Sequence, residues 1–430
     1  MPVSPDLVGD LQARGLLHQA TFDLDDPWLC EGSVTAYAGF DPTADSLHIG
    51  HLLPALGLRR LQLAGHRPIA VAGGGTGLIG DPSGKATERP MLTVDAIRAN
   101  TQAIGRQLSS LLDFDGDLAA RLVDNAEWLC KLNLVEFLRD IGKHFSVNAM
   151  VQRDSVQLRL ASRDQGISFT EFTYALLQAY DFLELHDRFG CRLQIGGSDQ
   201  WGNILDGKHL IRVLRGAEAH GLTQVLVTKS DGSKFGKSES GNIWLDPKRT
   251  SPYQFHQFWL NVEDADAVRY LKFFTFLELE EIGGIEAENQ RDPSRRHAQR
   301  ALADAVTALV HGQAAVTAAK RTAAILFEGG DLRELTAEQL EDGLREAPRA
   351  NIDRAQISAG TLDLVSAVVV AGLAKSKSEA RTHVTNGAVS LNQAVVTDAK
   401  RILGPEDLLT GRFVLLRRGK KHYSLLDAQH

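Results

Sequence analysis

Three consecutive segments decide the fold: Val34-Thr-Ala-Tyr-Ala-Gly-Phe40, His51-Leu-Leu-Pro-Ala-Leu-Gly-Leu-Arg-Arg-Leu-Gln-Leu-Ala-Gly65 and Pro68-Ile-Ala-Val-Ala72. The first is a short β-rich run. The second carries Leu52, Leu56 and Leu63 on a helical period, with Arg59, Arg60 and Gln62 polar, and closes at Gly65 with Pro68 just beyond. The third is a short apolar run that stops in glycines, the pattern of a buried strand. Strand, helix and strand in that order form the βαβ unit of a parallel sheet, because parallel neighbours need a crossover. Further on, Cys191-Arg-Leu-Gln-Ile195 and Gln224-Val-Leu-Val-Thr228 read as two more strands, with a helix over Asn203–Leu214 between them. The fold class expected for the first half is therefore α/β with a parallel sheet.

From about Ser251 to Glu328 the pattern turns helical. Glycine is absent between Ile285 and His311, while Ala, Glu, Arg and Gln are frequent. Residues Gly329–Ala350 are polar and charged, with Pro348 near the end, and read as a linker with short helical pieces. The last segment, Ile352–Leu426, begins helical and ends in strand-like runs. A chain of 430 residues suits two to four such domains.

Composition excludes several classes. Hydrophobic residues at 43% and charged residues at 23% are those of a globular chain, not a disordered one. The longest apolar stretch, Leu364–Ala374, is interrupted by Ser366 and Gly372 and falls short of the ~20 residues a spanning helix needs. The N-terminus has no basic stretch followed by an apolar one, so neither a membrane nor an export signal is expected. Cys30, Cys130 and Cys191 lie far apart with no CxxC pair, which indicates neither a zinc knuckle nor a disulfide framework and fits a reducing cytoplasm. The net charge of −7 argues against a general nucleic-acid coat. Its distribution is uneven: residues 351–430 hold 11 Lys+Arg against 7 Asp+Glu, and the remainder 36 against 47. A basic tail on an acidic body fits a polyanion met at the C-terminus, or a chance imbalance of a few charges.

Five segments can carry chemistry. In Ser46-Leu-His-Ile-Gly-His51, His48 and His51 share one helical face at a helix N-terminus, where free amides and the dipole favour a polyphosphate. The same spacing fits a surface helix with two ordinary histidines. Gly75-Thr-Gly-Leu-Ile-Gly80 matches G-x-G-x-x-G after a strand, with Asp95 further on. The turn residues Asp81-Pro-Ser-Gly84 follow at once, so no helix opens there, and a dinucleotide-dependent oxidoreductase rests on that match alone. Lys234-Phe-Gly-Lys237-Ser238 puts two ammonium groups on a glycine-containing loop that can close over phosphates, or is a solvated basic loop. Tyr174, Gln178 and Asp181 recur at i, i+4 and i+7, a polar stripe in an apolar stretch. Such a face either binds something polar or forms a hydrogen-bonded network between helices. Gly196-Gly-Ser-Asp-Gln-Trp-Gly-Asn203 follows a strand, where glycines admit a ligand to the backbone and Asp199 can accept from a ribose hydroxyl.

In this order and spacing the segments resemble the bacterial tyrosyl-tRNA synthetases, class I aminoacyl-tRNA ligases, from about Thr35 to Leu426. Ser46–His51 resembles the family's HIGH motif and Lys234–Ser238 its KMSKS motif, written here KFGKS. Tyr37-Ala-Gly-Phe-Asp-Pro-Thr43, Gly80–Lys85, Gln178–Asp181 and Gly196–Asn203 resemble its tyrosine and ATP segments. The resemblance implies a Rossmann-type catalytic domain over residues 1–228 and a KMSKS-type loop with a helical anticodon-binding domain over 229–330. A linker over 331–350 and a small α+β S-four-like RNA-binding domain over 351–430 would complete the chain.

It also implies roles. Tyr37 and Asp181 would bind the phenol hydroxyl of tyrosine; Asp81, Tyr174 and Gln178 its ammonium group, with Gln200 near the carboxylate. Asp199 and Gly197 would contact the ribose of ATP, and Gly50 and His51 the nucleotide side of the pocket. Thr43 and His48 would bind the γ-phosphate, and Lys85, Arg89, Lys234 and Lys237 would stabilise departing pyrophosphate. One departure is Ala38, where some members carry a cysteine that touches the ribose. Lys375, Lys377 and Arg381, with Arg417, Arg418, Lys420 and Lys421, would form the face for tRNA(Tyr), although Arg417–Lys421 also reads as a solvated hairpin turn. A homodimer near Phe137–Met150 is implied as well.

The chemistry agrees: a carboxylate, ionised near pH 7, attacks the α-phosphorus of ATP without a general base. Catalysis then rests on positioning and on cations where charge develops, with Mg²⁺ on the phosphates and no protein-bound metal. A non-catalytic RNA-binding relative is the other alternative; the presence of His48, His51, Lys234 and Lys237 disfavours it.

Overall fold

The computed structural model describes residues 6–83, 92–161, 166–230, 232, 235–238, 241–419 and 422–428, with backbone alone for 154, 155, 158, 237 and 238. Six strands form the first sheet: β1 (Leu17–Ala20), β2 (Thr35–Phe40), β3 (Arg67–Ala72), β4 (Arg121–Asp124), β5 (Cys191–Gly197) and β6 (His220–Gln224). Their spatial order is β1-β6-β5-β2-β3-β4. Five run parallel, and β1 lies antiparallel on β6. From β2 the chain steps outward to β3 and β4. It then returns to β5 on the other side of β2 and steps outward to β6. The strand order reverses between β2 and β5, and in such sheets ligands bind outside the carboxyl ends of the strands at that point.

Local sequence explains the elements around this crevice. Strands β3 and β6 are buried along almost their whole length, as sheet strands covered on both faces are. Helix Ile49–Leu63 follows β2 and buries Ile49, Leu52, Leu53, Leu56 and Leu61. Helix Phe169–Phe189 begins at Ser168, whose side chain accepts from the Glu171 N–H, and ends at Gly190 with φ 62°. Helix Trp201–Arg215 links β5 to β6 and ends at Gly216, also left-handed.

The strand expected at Gln224–Thr228 lies instead at His220–Gln224. Pairing with β5 fixes it: Leu193 lies opposite His220 and Gly197 opposite Gln224. The polar His220, Thr223 and Gln224 are buried there, whereas the apolar run begins where the sheet ends and leaves Leu226 exposed.

The chain packs as two compact units, 1–250 with 258–310 and 251–257 with 311–430. The boundaries at 228, 330 and 350 do not coincide with that division. The helices Asp264–Phe274 and Leu279–Arg291 belong to the first unit, in which Arg60 donates to the Thr275 carbonyl at 2.6 Å. The first unit also holds a small antiparallel pair, β7 (Lys237–Ser238) and β8 (Gly241–Asn242).

The second unit contains β9 (Arg349–Asn351), β10 (Val389–Leu391), β11 (Ala394–Val395), β12 (Phe413–Arg418) and β13 (His422–Asp427), in the order β11-β10-β12-β13-β9. Both faces of this sheet are covered, and β12 shows it by alternation. Val414 and Leu416 join a core with Leu364, Val368, Ala380 and Val384. Phe413 and Leu415 join another with Ile325, Leu326, Leu332, Leu335, Leu340 and Leu344. The segment 331–350 is therefore not a linker. Its leucines fill the second core, and β9 pairs in parallel with β13. The polar composition that suggested a linker is the solvent side of short amphipathic pieces.

Candidate active site

The amino end of helix Ile49–Leu63 stands at the carboxyl end of β2 and is capped by histidine. His48 is extended (φ −116°, ψ 170°); its Nδ1 accepts from the Gly50 N–H at 3.0 Å, and its own N–H donates to His51 Nδ1 at 3.3 Å. The two rings lie 4.0 Å apart. A Cβ on Gly50 would meet His48 Nδ1 at 2.9 Å, so a side chain there would push the imidazole away from the helix end. The arrangement concentrates two imidazoles at the positive end of a helix, where anions are favoured.

The lysine-bearing loop abuts this helix. Ile49 N–H donates to the Ile243 carbonyl at 3.0 Å, and Ile243 N–H donates to the Gly236 carbonyl at 3.2 Å. Gly236 has φ +89°, and a Cβ there would come within 3.2 Å of Ile49 Cγ1. Phe235 seats its ring among Phe258, Trp259, Tyr270 and Phe274. The backbone of Lys237 pairs with Asn242. Lys85, Arg89 and Lys234 lie outside the described residues.

Beyond the histidines, the crevice is lined by buried polar groups. Tyr37 on β2 is 2% exposed, and its hydroxyl is buried without a hydrogen-bond partner. Asp181, 4% exposed, accepts from Trp128 Nε1 at 2.6 Å and from Asn125 Nδ2 at 2.8 Å. Burial pushes the Asp181 carboxyl up to about 7 against those two donors. Burial, with Asp181 and Cys191 nearby, holds the Tyr37 phenol well above the usual tyrosine range. Tyr174 is raised likewise by burial and by Asp41, Asp81 and Asp181, and its hydroxyl donates to Asp41 at 3.4 Å.

Gln178 Nε2 donates to Gln200 Oε1 at 3.1 Å, and Gln200 Nε2 donates to Asp81 Oδ2 at 2.8 Å. Asn203 Nδ2 closes the network on Gln178 Oε1 at 2.9 Å. On the β5 side, Gly197 ends the strand and Asp199 is exposed. A Cβ on Gly197 would fall 2.6 Å from Asp199 Oδ1. Thr43 is exposed just beyond β2, its N–H on the Asp41 carbonyl at 2.9 Å.

Asn125 and Trp128 were not read from the sequence, and Asp41 and Asn203 stood only as unassigned members of the quoted segments Tyr37–Thr43 and Gly196–Asn203. The signal available for Asn125 and Trp128 was their place after β4, whose carboxyl end opens on the same crevice. The strand is only four residues long and reads poorly as one. The Gly75–Gly80 match does not open a helix. Thr76–Leu78 is a single 3-10 turn, the Gly75 N–H donates to Asn125 Oδ1 at 2.7 Å, and among the described residues the next helix begins at Val94. Among the described residues the match thus lacks the phosphate-binding helix terminus that a dinucleotide site of that type requires.

In the second unit Lys375, Lys377 and Arg381 are exposed, with Lys377 and Arg381 one turn apart on helix Lys377–Thr385. Arg418 is half-buried, 3.3 Å from His383 Nε2 and 3.8 Å from Glu379. Helical spacing puts Glu379 and His383 on the flank opposite Lys377 and Arg381, so Arg418 does not join that basic face. Arg417 lies over the Tyr423 ring at 5.9 Å. Lys420 and Lys421 lie outside the described residues.

Comparison with known proteins bears on both units. Residues 30–328 match the family model of class I tRNA synthetases (W and Y), and 339–426 match the tyrosine–tRNA ligase SYY-like C-terminal domain. A tyrosine–tRNA ligase of Laribacter hongkongensis is 54% identical over 426 residues, 98% of either chain. One from Roseiflexus castenholzii is 51% identical over 421 residues, 98% of this chain and 99% of the relative. Among solved structures, a C-terminally truncated mitochondrial tyrosyl-tRNA synthetase of Aspergillus nidulans aligns with a TM-score of 0.67 at 35% identity. It covers 75% of this chain and 94% of that one.

Proposed function

The chain belongs to the tyrosine–tRNA ligases of class I, and from that premise we propose how its residues divide the work. It is an aminoacyl-tRNA ligase: tyrosine and ATP give tyrosyl-adenylate and pyrophosphate, and the tyrosyl group then passes to tRNA.

The tyrosine phenol docks between Tyr37 and Asp181. The observation that carries this is the buried, unpartnered Tyr37 hydroxyl beside a carboxylate held by Asn125 and Trp128. A substrate hydroxyl supplies the missing bond, and phenylalanine leaves it unmade. Asp81, Tyr174 and Gln178 take the ammonium group, with Gln200 near the carboxylate. Gly197 and Asp199 take the ribose, and Gly50 and His51 the nucleotide side. The carboxylate oxygen attacks the α-phosphorus, and the bond from the α-phosphorus to the α,β-bridging oxygen breaks, its electron pair leaving on pyrophosphate. Thr43 and His48 meet the γ-phosphate, and Lys85, Arg89, Lys234 and Lys237 neutralise the leaving group. Mg²⁺, a hard cation that prefers oxygen ligands, would come with the ATP phosphates and offset part of their charge. Among the described residues no group of three or more His, Cys, Asp or Glu could hold a metal ion.

Lys375, Lys377 and Arg381 meet the tRNA(Tyr) backbone, with Arg417 more recessed and Arg418 turned to His383 and Glu379 instead. Two such chains pair through the region of Phe137–Met150, supported by Leu134, Val135, Leu138 and Val147, all large, apolar and exposed. The site of action is the cytoplasm. Among the described residues no helix is long and apolar enough to cross a membrane.

Amino-acid-dependent ATP–pyrophosphate exchange, run with tyrosine, tryptophan and phenylalanine side by side, tests the site. Exchange with tyrosine alone is expected. Exchange with phenylalanine at a comparable rate would exclude the roles given to Tyr37 and Asp181.

A further inference from the structure

We propose that one turn of helix Asp264–Phe274, Asp266 through Tyr270, is a positioning clamp that sets the KFGKS loop for tyrosine activation. The clamp acts on the backbone where the chain leaves β6 and becomes the loop. Asp266 is 2% exposed; its Oδ2 accepts from the Ser230 N–H at 3.0 Å. Its Oδ1 accepts from Arg269, whose guanidinium also donates to the Thr228 carbonyl at 2.6 Å. The Tyr270 hydroxyl donates to the same carbonyl at 3.0 Å. Two side chains thus hold one carbonyl, and a buried carboxylate holds the N–H two residues on.

The same helix holds the loop a second time. The Phe235 ring packs 4.9 Å from Tyr270 and stacks 5.3 Å from Phe274, so both ends of residues 228–235 rest on one rigid element. The helix is fixed in turn to the histidine-bearing helix. Arg60, 2% exposed, donates to the Thr275 carbonyl at 2.6 Å and to Asp10 at 3.1 Å, with its guanidinium 4.7 Å from the Phe276 ring centroid. Arg14 donates to the Leu277 carbonyl at 2.9 Å. Two arginines thus meet carbonyls at and just beyond the helix's carboxyl end, Arg60 at the cap residue and Arg14 two residues on. An unbroken path of buried contacts therefore runs from helix Ile49–Leu63 through helix Asp264–Phe274 to Phe235. The two sequence motifs of the site share that support.

A loop cation stabilises a leaving group only if it arrives within a fraction of an ångström, and small misplacements cost rate more than affinity. Asp266, Arg269 and Tyr270 touch no substrate in this scheme; they are positioning residues. The inference rests on the leaving-group role given to Lys237, and the test separates the two.

The variants are Tyr270→Phe, which keeps the ring against Phe235 and removes one bond, Asp266→Ala, Asp266→Asn, Lys237→Ala, and the pairs with Lys237→Ala. ATP–pyrophosphate exchange gives kcat and KM, equilibrium titration gives the tyrosine Kd, and thermal melting reports folding. Tyr270→Phe and Asp266→Ala are expected to lower kcat about tenfold with the tyrosine Kd unchanged, and Asp266→Asn, which keeps an acceptor for Ser230, to recover part of the loss. In the Lys237→Ala background the same substitutions should lower kcat by a clearly smaller factor, since Lys234 alone then remains on the KFGKS loop. Equal losses in kcat and tyrosine affinity, or an undiminished loss in the Lys237→Ala background, would overturn the clamp. A loss on Lys237→Ala with none on Tyr270→Phe or Asp266→Ala overturns the clamp and leaves the Lys237 role standing. No loss on Lys237→Ala excludes that role and, with it, the clamp's route to the reaction.

Discussion

Tyr37→Phe should act in opposite directions on the free and the tyrosine-bound protein. In the free protein the hydroxyl is buried and unpartnered, so it has given up water and gained nothing. An orphaned buried hydroxyl costs ~1–3 kcal/mol, and removing it relieves that cost against a small void. The melting temperature without ligand should stay level or rise. With tyrosine bound, the substrate phenol completes the bond, and the variant forfeits ~0.5–1.5 kcal/mol. The KM for tyrosine in pyrophosphate exchange should rise about two- to tenfold. Phenylalanine, which leaves the wild-type hydroxyl orphaned, should bind the variant no worse than the wild type, so selectivity narrows from both sides. Melting curves with and without tyrosine, together with exchange assays on both amino acids, read all three effects. A variant that melts several degrees lower without ligand, at unchanged tyrosine KM, would show that Tyr37 is a packing residue with a satisfied hydroxyl.

Three further outcomes follow from the same site. The Asp181 carboxyl is raised by burial to about 7, so the stability it contributes is fully present below its unfolded value and is lost as pH rises through about 7. Asp181→Asn should abolish a pH-dependent loss on the order of 4 kcal/mol between pH about 4 and 7, read as the difference in melting profiles; parallel profiles would contradict it. Trp128→Phe removes a donor that favours the ionised carboxylate, so the acid limb of kcat/KM for tyrosine should move up by about one pH unit. An unmoved limb would detach Trp128 from the ionisation. His48→Ala should slow adenylate formation far more than it weakens tyrosine binding, with a cap loss of ~1 kcal/mol in stability, and equal losses would argue against a phosphate role.

The sequence was most legible where burial is continuous. Segments β2 and β3 with their connecting helix are covered on both sides, so apolar runs and a leucine period mark them plainly. Strand β6 was displaced by four residues because its own positions are polar and the apolar run beyond it faces outward. Pairing decided that strand, and pairing is not a local property. The polar stripe of Tyr174, Gln178 and Asp181 was visible because three residues of one helix carry it. Asn125 and Trp128 were not, since each acts on Asp181 from more than fifty positions away. The segment 331–350 misled for a related reason: four leucines among charged residues look like a tether until the sheet face that they cover is known.

That segment also says where the polypeptide can be divided. A fragment starting at 351 would strip Leu332, Leu335, Leu340 and Leu344 from Phe413, Leu415 and Leu425, and would take away part of β9 beside β13. An apolar sheet face and a newly bared strand edge are the ingredients of self-association. A fragment starting at His311 keeps its helices Gln313–Phe327 and Ala337–Gly343 over that face. Proteolysis or gene truncation should accordingly yield a soluble C-terminal piece only when the break falls ahead of helix Gln313–Phe327, some forty residues earlier than composition alone would place it.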